Sequence, residues 1–177
     1  EIDLSRLRVA ITPDFGFAPT EHQVAATLAD KTGLFRSAFG RADDATPDCT
    51  GADDIFAVLR AVAALAMFGP LAEKYPDSLG PNIRDNIAEG DGYSARDVAM
   101  AMNGQTAMYR RWQAFYNDYD IILAPSVTIS PRPWRELYPR EINGQATRSY
   151  YHWLACAYAS TLPGHPAVSL PVGLDGN

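Results

Sequence analysis

The sequence predicts an α/β protein, in which strands of a β-sheet are flanked by helices. Residues 7–12 and 120–125 are short apolar runs that stop at or just before a proline, as buried strands commonly do. A long helical pattern of apolar residues leads directly into the second run. A helix that leads directly into a buried strand is typical of an α/β arrangement.

The first elements are a strand over residues 7–12 and a turn over residues 13–19. Thr20 is followed three residues later by Gln23, which matches the capping-box pattern at a helix start. We therefore expect a helix from this point to about Gly33.

A polar stretch and two further helices come next. Residues 36–53 carry glycine and proline without a sustained period, which predicts a connecting loop. Residues 55–68 form an Ala-rich pattern that is apolar around most of a helix, so this helix is expected to lie buried inside the fold. Residues 83–90 can form only a short helix.

The clearest helix begins at Ser94, with Asp97 at the capping-box position. Large apolar residues at steps of three, four or six predict one stripe along this helix and the residues after it: Val98, Met102, Met108, Trp112, Phe115, Tyr116 and Tyr119. A proline-rich loop over residues 126–145, an aromatic helix over residues 148–160 and a last strand over residues 166–172 complete the prediction.

Composition limits the possible partners. The chain has 177 residues, 15 basic and 21 acidic, with a net charge of −6, which argues against nucleic acid and against anionic membranes. No stretch approaches 18 uncharged apolar residues and residues 1–20 lack the pattern of a signal peptide, so neither a membrane span nor secretion is expected. We expect a single domain or fragment over residues 1–177, in the cytoplasm.

The residues alone identify no catalytic centre. No serine lies in a G-x-S-x-G elbow, and neither lysine has the buried setting that a base would need. Three histidines without i, i+4 spacing predict no metal site, and no glycine-rich phosphate loop is present, so no cofactor is expected. A cysteine nucleophile, Cys156 with His165 or His152, is an alternative, although Cys156 lies within an apolar helical pattern.

Four stretches, in order, resemble the amidase signature family: "LRVAITPDFG", "GDGYSARDVAMAM", "YDIILAPSV" and "TLPGHPAVSLPVG". The resemblance implies a partial amidase-signature fold, with a mixed β-sheet flanked by α-helices. It also implies a Ser-Ser-Lys triad, whose three members come before the stretch matched by residues 7–16. None of them maps onto this sequence, so no catalytic residue is assigned.

The resemblance therefore describes the second half of an amidase core. Its expected partners are the missing N-terminal half and a small-molecule amide, with pairing to another copy of the chain as a further possibility. The matched loops are expected to border the substrate pocket, through Pro125, Ser126, Thr161, Gly164 and His165.

The function implied is that of the C-terminal portion of an amidase-type hydrolase of carboxylic amides. This portion would supply scaffold and pocket wall and would be inactive alone. Leu154 and Asn86 stand where glutamine-using members tend to carry an acidic residue and an arginine, which favours a free-standing amidase. The alternative is a non-catalytic binding or interaction domain on an amidase-like scaffold.

Overall fold

The protein is described by a computed structural model over residues 3–174, and these residues divide into two compact units. One unit, here the sheet unit, contains the described residues up to Thr50 and those from Met108 onward. The other, here the helical unit, contains Gly51–Ala107. The mixed α/β class predicted from the sequence is confirmed.

The sheet unit is built on three parallel strands in the order β2-β1-β3. The central strand is β1 (Arg8–Ile11), between β2 (Arg41–Asp44) and β3 (Ile121–Leu123). Val9 and Ala10 in the central strand are fully buried, as a strand of a parallel sheet requires. At the amino ends, the Arg8 guanidinium donates to the Asp120 carboxylate at 2.7 Å.

The edge strand β2 was not predicted, because residues 36–53 were interpreted as a loop. Its sequence is Arg-Ala-Asp-Asp, which has no apolar alternation. Charged side chains on an edge strand discourage pairing with other chains. The polar sequence of β2, which does not match the usual strand pattern, is therefore typical of an edge strand. Its acidic residues are paired, Asp43 with Arg41 and Asp44 with Arg36.

The first helix, α1 (His22–Phe35), begins two residues after the predicted capping residue Thr20 and continues past Gly33. The predicted capping box is wrong, since the Thr20 hydroxyl contacts the Ala18 carbonyl and lies near the Cys156 thiol. A distant side chain caps the helix instead. Asn143 Oδ1 accepts from the His22 backbone N–H at 3.2 Å.

A short hairpin forms at the end of residues 126–145, which the sequence predicted to be loop throughout, and it extends one residue beyond them. Strands β4 (Glu141–Ile142) and β5 (Gln145–Ala146) pair antiparallel. Asn143 and Gly144 join them with φ values of 52° and 78°, as expected for an Asn-Gly hairpin turn. Parallel and antiparallel pairings are both present, but in separate sheets.

The aromatic helix predicted over residues 148–160 is a 3-10 turn at His152–Leu154 followed by α5 (Ala155–Thr161). Four residues of α5 are buried: Ala155, Cys156, Tyr158 and Ala159. The prediction of a last strand over residues 166–172 is wrong. Residues 166–174, here the tail, form no strand ladder and are exposed throughout.

The helical unit contains α2 (Ala52–Lys74), α3 (Pro81–Asp91) and the first part of α4 (Ala95–Phe115). Helices α2 and α3 cross closely at Gly90, where an added Cβ would lie 2.4 Å from the Ala61 carbonyl oxygen. Arg60 and Glu89 form an ion pair at the same crossing.

The expected burial of the Ala-rich helix is also wrong. An 18-residue window of α2 has a mean hydropathy of 2.0, yet only 17% of that window is buried. This helix is long and apolar enough to cross a membrane, although length and composition alone do not assign it to one.

The start of α4 confirms the predicted capping box. The Ser94 backbone N–H donates to the Asp97 carboxylate at 2.8 Å, and the Asp97 N–H donates to the Ser94 hydroxyl at 3.2 Å. The predicted stripe holds only in part, because Met108 and Trp112 are buried while Met102 is 57% exposed.

Candidate functional site

The loops that follow the three parallel strands meet at one edge of the sheet, here the carboxyl edge. In open α/β sheets, ligands bind outside the carboxyl ends of the strands, so this edge is the first place to look for a site. Thr12, directly after β1, is fully buried. Its hydroxyl oxygen accepts from the Phe15 backbone N–H at 3.0 Å and from the Thr46 hydroxyl at 2.9 Å.

Two of the predicted pocket residues, Pro125 and Ser126, follow β3 at the carboxyl edge. Ser126 is exposed, and its hydroxyl accepts a hydrogen bond from the Ser169 hydroxyl at 3.2 Å. This contact brings the tail to the loop after β3. Residues separated by more than 40 positions thus share one part of the surface.

The other three predicted residues, Thr161, Gly164 and His165, lie at the end of α5. The Gly164 N–H donates to the Thr161 carbonyl at 3.0 Å, and Gly164 has a φ of 71°. Glycine adopts this left-handed conformation without steric cost, which explains the residue at this corner. The Thr161 hydroxyl donates to the Ala157 carbonyl at 2.9 Å, so this hydroxyl bonds to the backbone of α5 one turn earlier.

The imidazole of His165 packs among aromatic side chains from α4 and the residue after it. Its ring centroid lies 6.0 Å from Tyr109 and 5.5 Å from Trp112, with nearly parallel planes. Tyr116 meets it edge-on at 4.8 Å. Phe15 stacks on Trp112 at 5.8 Å, so the cluster continues to the turn after β1.

This packing determines the chemistry open to His165. Burial lowers the pKa of the imidazole below its ordinary value, which favours the neutral ring. Nε2 is buried and has no hydrogen-bond partner among the described residues. Nε2 of His165 therefore makes no hydrogen bond to Ser126 or Ser169, whose hydroxyls bond to each other. The groups that this part of the surface offers to a ligand are the hydroxyls of Ser126 and Ser169 and the aromatic rings around His165.

The environment of the cysteines counts against the Cys–His alternative. Burial raises the pKa of the Cys156 thiol to about 11 and that of Cys49 to about 12. The Cys156 sulfur lies 3.8 Å from the Thr20 hydroxyl. A reactive cysteine needs a lowered pKa, so both thiols are in the wrong setting for nucleophilic attack.

Sequence reasoning missed a polar cavity of about 460 Å³ at the N-terminus of α1. The Glu21 carboxylate there accepts from the Ser130 backbone N–H and from the Arg132 guanidinium, both at 2.8 Å. The lining residues are Glu21, His22, Gln23, Ser130, Pro131, Arg132, Pro133 and Asn143. None of the predicted pocket residues is among them. The one sequence signal was the proline-rich loop over residues 126–145, which supplies five of these eight residues.

Metal ligands do not cluster in residues 3–174: within that range no group of three or more His, Cys, Asp or Glu side chains could hold an ion.

Comparison with known proteins relates the chain to amidases. No family model matches it. A curated acylamidase from Rhodococcus erythropolis is 23% identical over 174 residues, which are 97% of this chain and 36% of the relative. The chain thus spans about a third of the length of that relative.

Solved structures give the same answer for the fold. A bacterial aryl acylamidase of the amidase signature family superposes with a TM-score of 0.82 at 16% identity, over 97% of this chain and 38% of that one. A second amidase gives a TM-score of 0.76 at 14% identity, covering 90% of this chain and 37% of the other. A 6-aminohexanoate cyclic dimer hydrolase gives 0.66 at 15% identity, covering 90% and 36%. The resemblance to the amidase signature family is therefore confirmed, and residues 3–174 have the fold of a part of an amidase signature enzyme.

Proposed function

We propose that this chain is part of an amidase-type hydrolase of carboxylic amides, and that it supplies scaffold and one wall of the substrate pocket. The observation that carries this proposal is the match to acylamidases over 97% of the chain, in sequence and in fold. The matched relatives are almost three times as long, so the catalytic groups are proposed to come from the polypeptide that completes the core.

The geometry of the carboxyl edge is consistent with a wall. Ser126 lies there and bonds to Ser169 of the tail, and Gly164 and His165 form the corner directly before the tail. We propose that these residues, with Pro125 and Thr161, border the pocket. A neutral, packed imidazole and two hydroxyls can orient an amide through hydrogen bonds and apolar contact, and a partner group would have to attack it.

Inactivity of the isolated chain is the sharpest test of this assignment. The chain is assayed with simple aliphatic amides and with anilides, and is treated with a serine-reactive fluorophosphonate. We expect no turnover and no labelling, because no serine hydroxyl at the carboxyl edge contacts a base in the described residues. Turnover or labelling that is lost in Ser126→Ala or Ser169→Ala would show that the chain carries its own nucleophile.

The coding sequence upstream of Glu1 separates an enzyme from a binding domain. A lysine followed by a Gly/Ser-rich stretch in the same reading frame would support the amidase. A start codon immediately before Glu1 would support a non-catalytic domain on an amidase-like scaffold. Free thiols at Cys49 and Cys156 are in keeping with a reducing compartment, and we therefore propose a cytoplasmic location.

A further inference from the structure

The loop after β3 is fastened to the start of α1 through one residue, Glu21. The Glu21 backbone N–H donates to the Thr128 carbonyl at 2.7 Å. The Glu21 carboxylate accepts from the Ser130 N–H and from the Arg132 guanidinium, both at 2.8 Å. Residues 128–143 are here called the strap, and Glu21 holds its first part through backbone and side chain together.

The far end of the strap returns to the same helix start. Asn143, in the turn of the β4–β5 hairpin, accepts from the His22 N–H at 3.2 Å and donates to the Thr20 carbonyl at 2.8 Å. Between these two ends, residues 131–137 are all exposed and form no helix or strand. Segments with few buried contacts open most readily, so this middle part is the piece of the strap that is able to move.

Glu21 occupies the N-cap position of α1, yet its side chain makes no hydrogen bond that caps the helix. Helices favour Asn, Asp, Ser or Thr at this position, because a short polar side chain reaches the free N–H groups of the first turn. Glutamate is not among these residues, and Asn143 bonds to the His22 N–H instead. The carboxylate of Glu21 therefore binds the strap and does not cap the helix.

The surroundings of Glu21 make its bonds to the strap stronger than those of an exposed ion pair. The Glu21 side chain is 19% exposed and Ser130 is 8% exposed. Hydrogen bonds to a charged group are stronger than those between neutral groups, and removing one partner leaves the other desolvated and unpaired. The carboxylate of Glu136 also lies near Arg132, but at 3.8 Å and with its side chain 48% exposed. Glu21 therefore contributes more than Glu136 to holding the strap.

We propose that Glu21 is the latch and the positioning residue of the strap, and that residues 130–137 open as a unit when its carboxylate is released. Thr128 is the fixed end of this movement, because it is fully buried and its hydroxyl also donates to the Trp153 carbonyl at 2.7 Å. Pro131 and Pro133 have fixed φ angles, which limits the freedom of the opening piece. The polar cavity is lined by the strap and the start of α1, so it is the space that the opening enlarges.

The strap begins two residues after Ser126, so its opening changes the surface beside the proposed pocket border. That consequence rests on the proposed function, whereas the latch rests only on contacts within the chain. Turnover and labelling test the proposed function, and amide exchange tests the latch. The failure of one is therefore distinguishable from the failure of the other.

Hydrogen exchange of backbone amides, followed by NMR on the intact chain, tests the latch. Glu21→Asp keeps a negative charge at the start of α1 and introduces a preferred N-cap residue, but its side chain is one methylene shorter. The Ser130 amide should then exchange about tenfold faster or more, which corresponds to the loss of a hydrogen bond to a charged group. Glu21→Gln, which keeps the length and one acceptor oxygen, should give an intermediate rate. If Glu21 served only the helix, Glu21→Asp would leave the exchange of Ser130 unchanged.

The dependence of exchange on urea separates local opening from global unfolding. Opening of the strap exposes little surface, so the exchange of the Ser130 amide should be nearly independent of urea at low concentration. The amides of Val9 and Ala10 in the buried central strand should exchange more slowly, with a steep dependence on urea.

The matched control is Glu136→Gln, which removes the other carboxylate near Arg132 and should leave the exchange of Ser130 unchanged. Trypsin cleavage after Arg135, in the exposed part of the strap, gives an independent measure of the same opening. This cleavage should be accelerated in Glu21→Asp and not in Glu136→Gln.

These outcomes decide the proposal in either direction. Faster exchange of Ser130 in Glu21→Asp but not in Glu136→Gln, with little dependence on urea, supports the latch. Exchange of Ser130 at the same rate and with the same urea dependence as the amides of β1 overturns it, because the strap would then open only when the whole chain unfolds. Equal effects of Glu21→Asp and Glu136→Gln, or no effect of either, overturn it as well.

Discussion

The close crossing of α2 and α3 predicts that two chemically identical substitutions have opposite effects on stability. Gly33 in α1 and Gly90 in α3 both lie within three residues of a helix end. Alanine is favoured over glycine inside a helix by about 0.5–1 kcal/mol, because glycine loses more conformational freedom on folding. Nothing lies within 4 Å of the Cβ position at Gly33, so Gly33→Ala should stabilise the chain by up to this amount.

Gly90→Ala meets a neighbouring backbone instead. The new Cβ would lie 2.4 Å from the Ala61 carbonyl oxygen, 2.8 Å from its carbonyl carbon and 3.0 Å from the Leu65 Cβ. The helices must move apart by several tenths of an ångström, and such overpacking costs about 1–3 kcal/mol. After the gain in helix propensity, a net loss of about 0.5–2 kcal/mol is expected.

Urea unfolding followed by far-UV circular dichroism measures both variants. For a slope of about 2 kcal/mol per molar, the expected loss for Gly90→Ala lowers the midpoint by about 0.3–1 M. Gly33→Ala should raise it or leave it unchanged. If Gly90→Ala stabilises the chain as Gly33→Ala does, the contact between α2 and α3 is not as close as described and the reasoning is refuted.

Three further predictions concern the aromatic cluster and the thiols. Trp112→Ala should lower the free energy of unfolding by about 3–5 kcal/mol, measured with urea, because this side chain is buried. Trp134→Ala, at a residue 85% exposed, should change it by no more than about 0.5 kcal/mol. Equal losses for the two variants would contradict the packing of Trp112 in the aromatic cluster. The His165 imidazole should titrate by NMR below its ordinary 6.5, so the stability it contributes is complete above pH 6.5 and is lost as pH falls through the lower, folded-state pKa. A midpoint at or above 6.5 would contradict this. Cys49 and Cys156 should react with iodoacetamide near neutral pH at least about a hundredfold more slowly than an unhindered thiol, because burial raises the thiol pKa from 9.0 to about 12 and about 11. Rapid labelling of the folded chain would restore the Cys–His alternative.

The sequence predicted those elements whose signal is local. The strands around Val9 and Ile122 are short apolar runs, and the capping box at Ser94 lies within four residues, so each pattern contains its own evidence. The polar strand β2 was missed because an edge strand does not need apolar alternation. The tail shows the reverse error: its alternation satisfies the strand pattern, but a ladder also needs a neighbouring strand, and sequence periodicity does not report one.

The candidate pocket residues were selected through the family resemblance rather than through spacing, and their place in a substrate pocket stays a prediction. That resemblance selected Ser126, Gly164 and His165. The structure bonds Ser126 to the tail through Ser169, and Gly164 and His165 form the corner before the tail. The polar cavity was missed because its walls come together only in the fold. Glu21 and Arg132, which form its central ion pair, lie 111 positions apart, and neither has a sequence context that indicates the other.

The strand order β2-β1-β3 also has consequences for the time course of folding. The pairing of β1 with β2 closes about thirty residues of chain, but the pairing with β3 must wait until residues 112 positions apart, such as Arg8 and Asp120, have met. Closing the longer loop adds only about 1 kcal/mol of entropy, so the equilibrium tolerates it, whereas contacts at long sequence separation slow folding. During synthesis, β1 and β2 are made before the helical unit and β3. The open side of β1 is then available to other nascent chains, and the rate at which β3 arrives sets how long that exposure lasts.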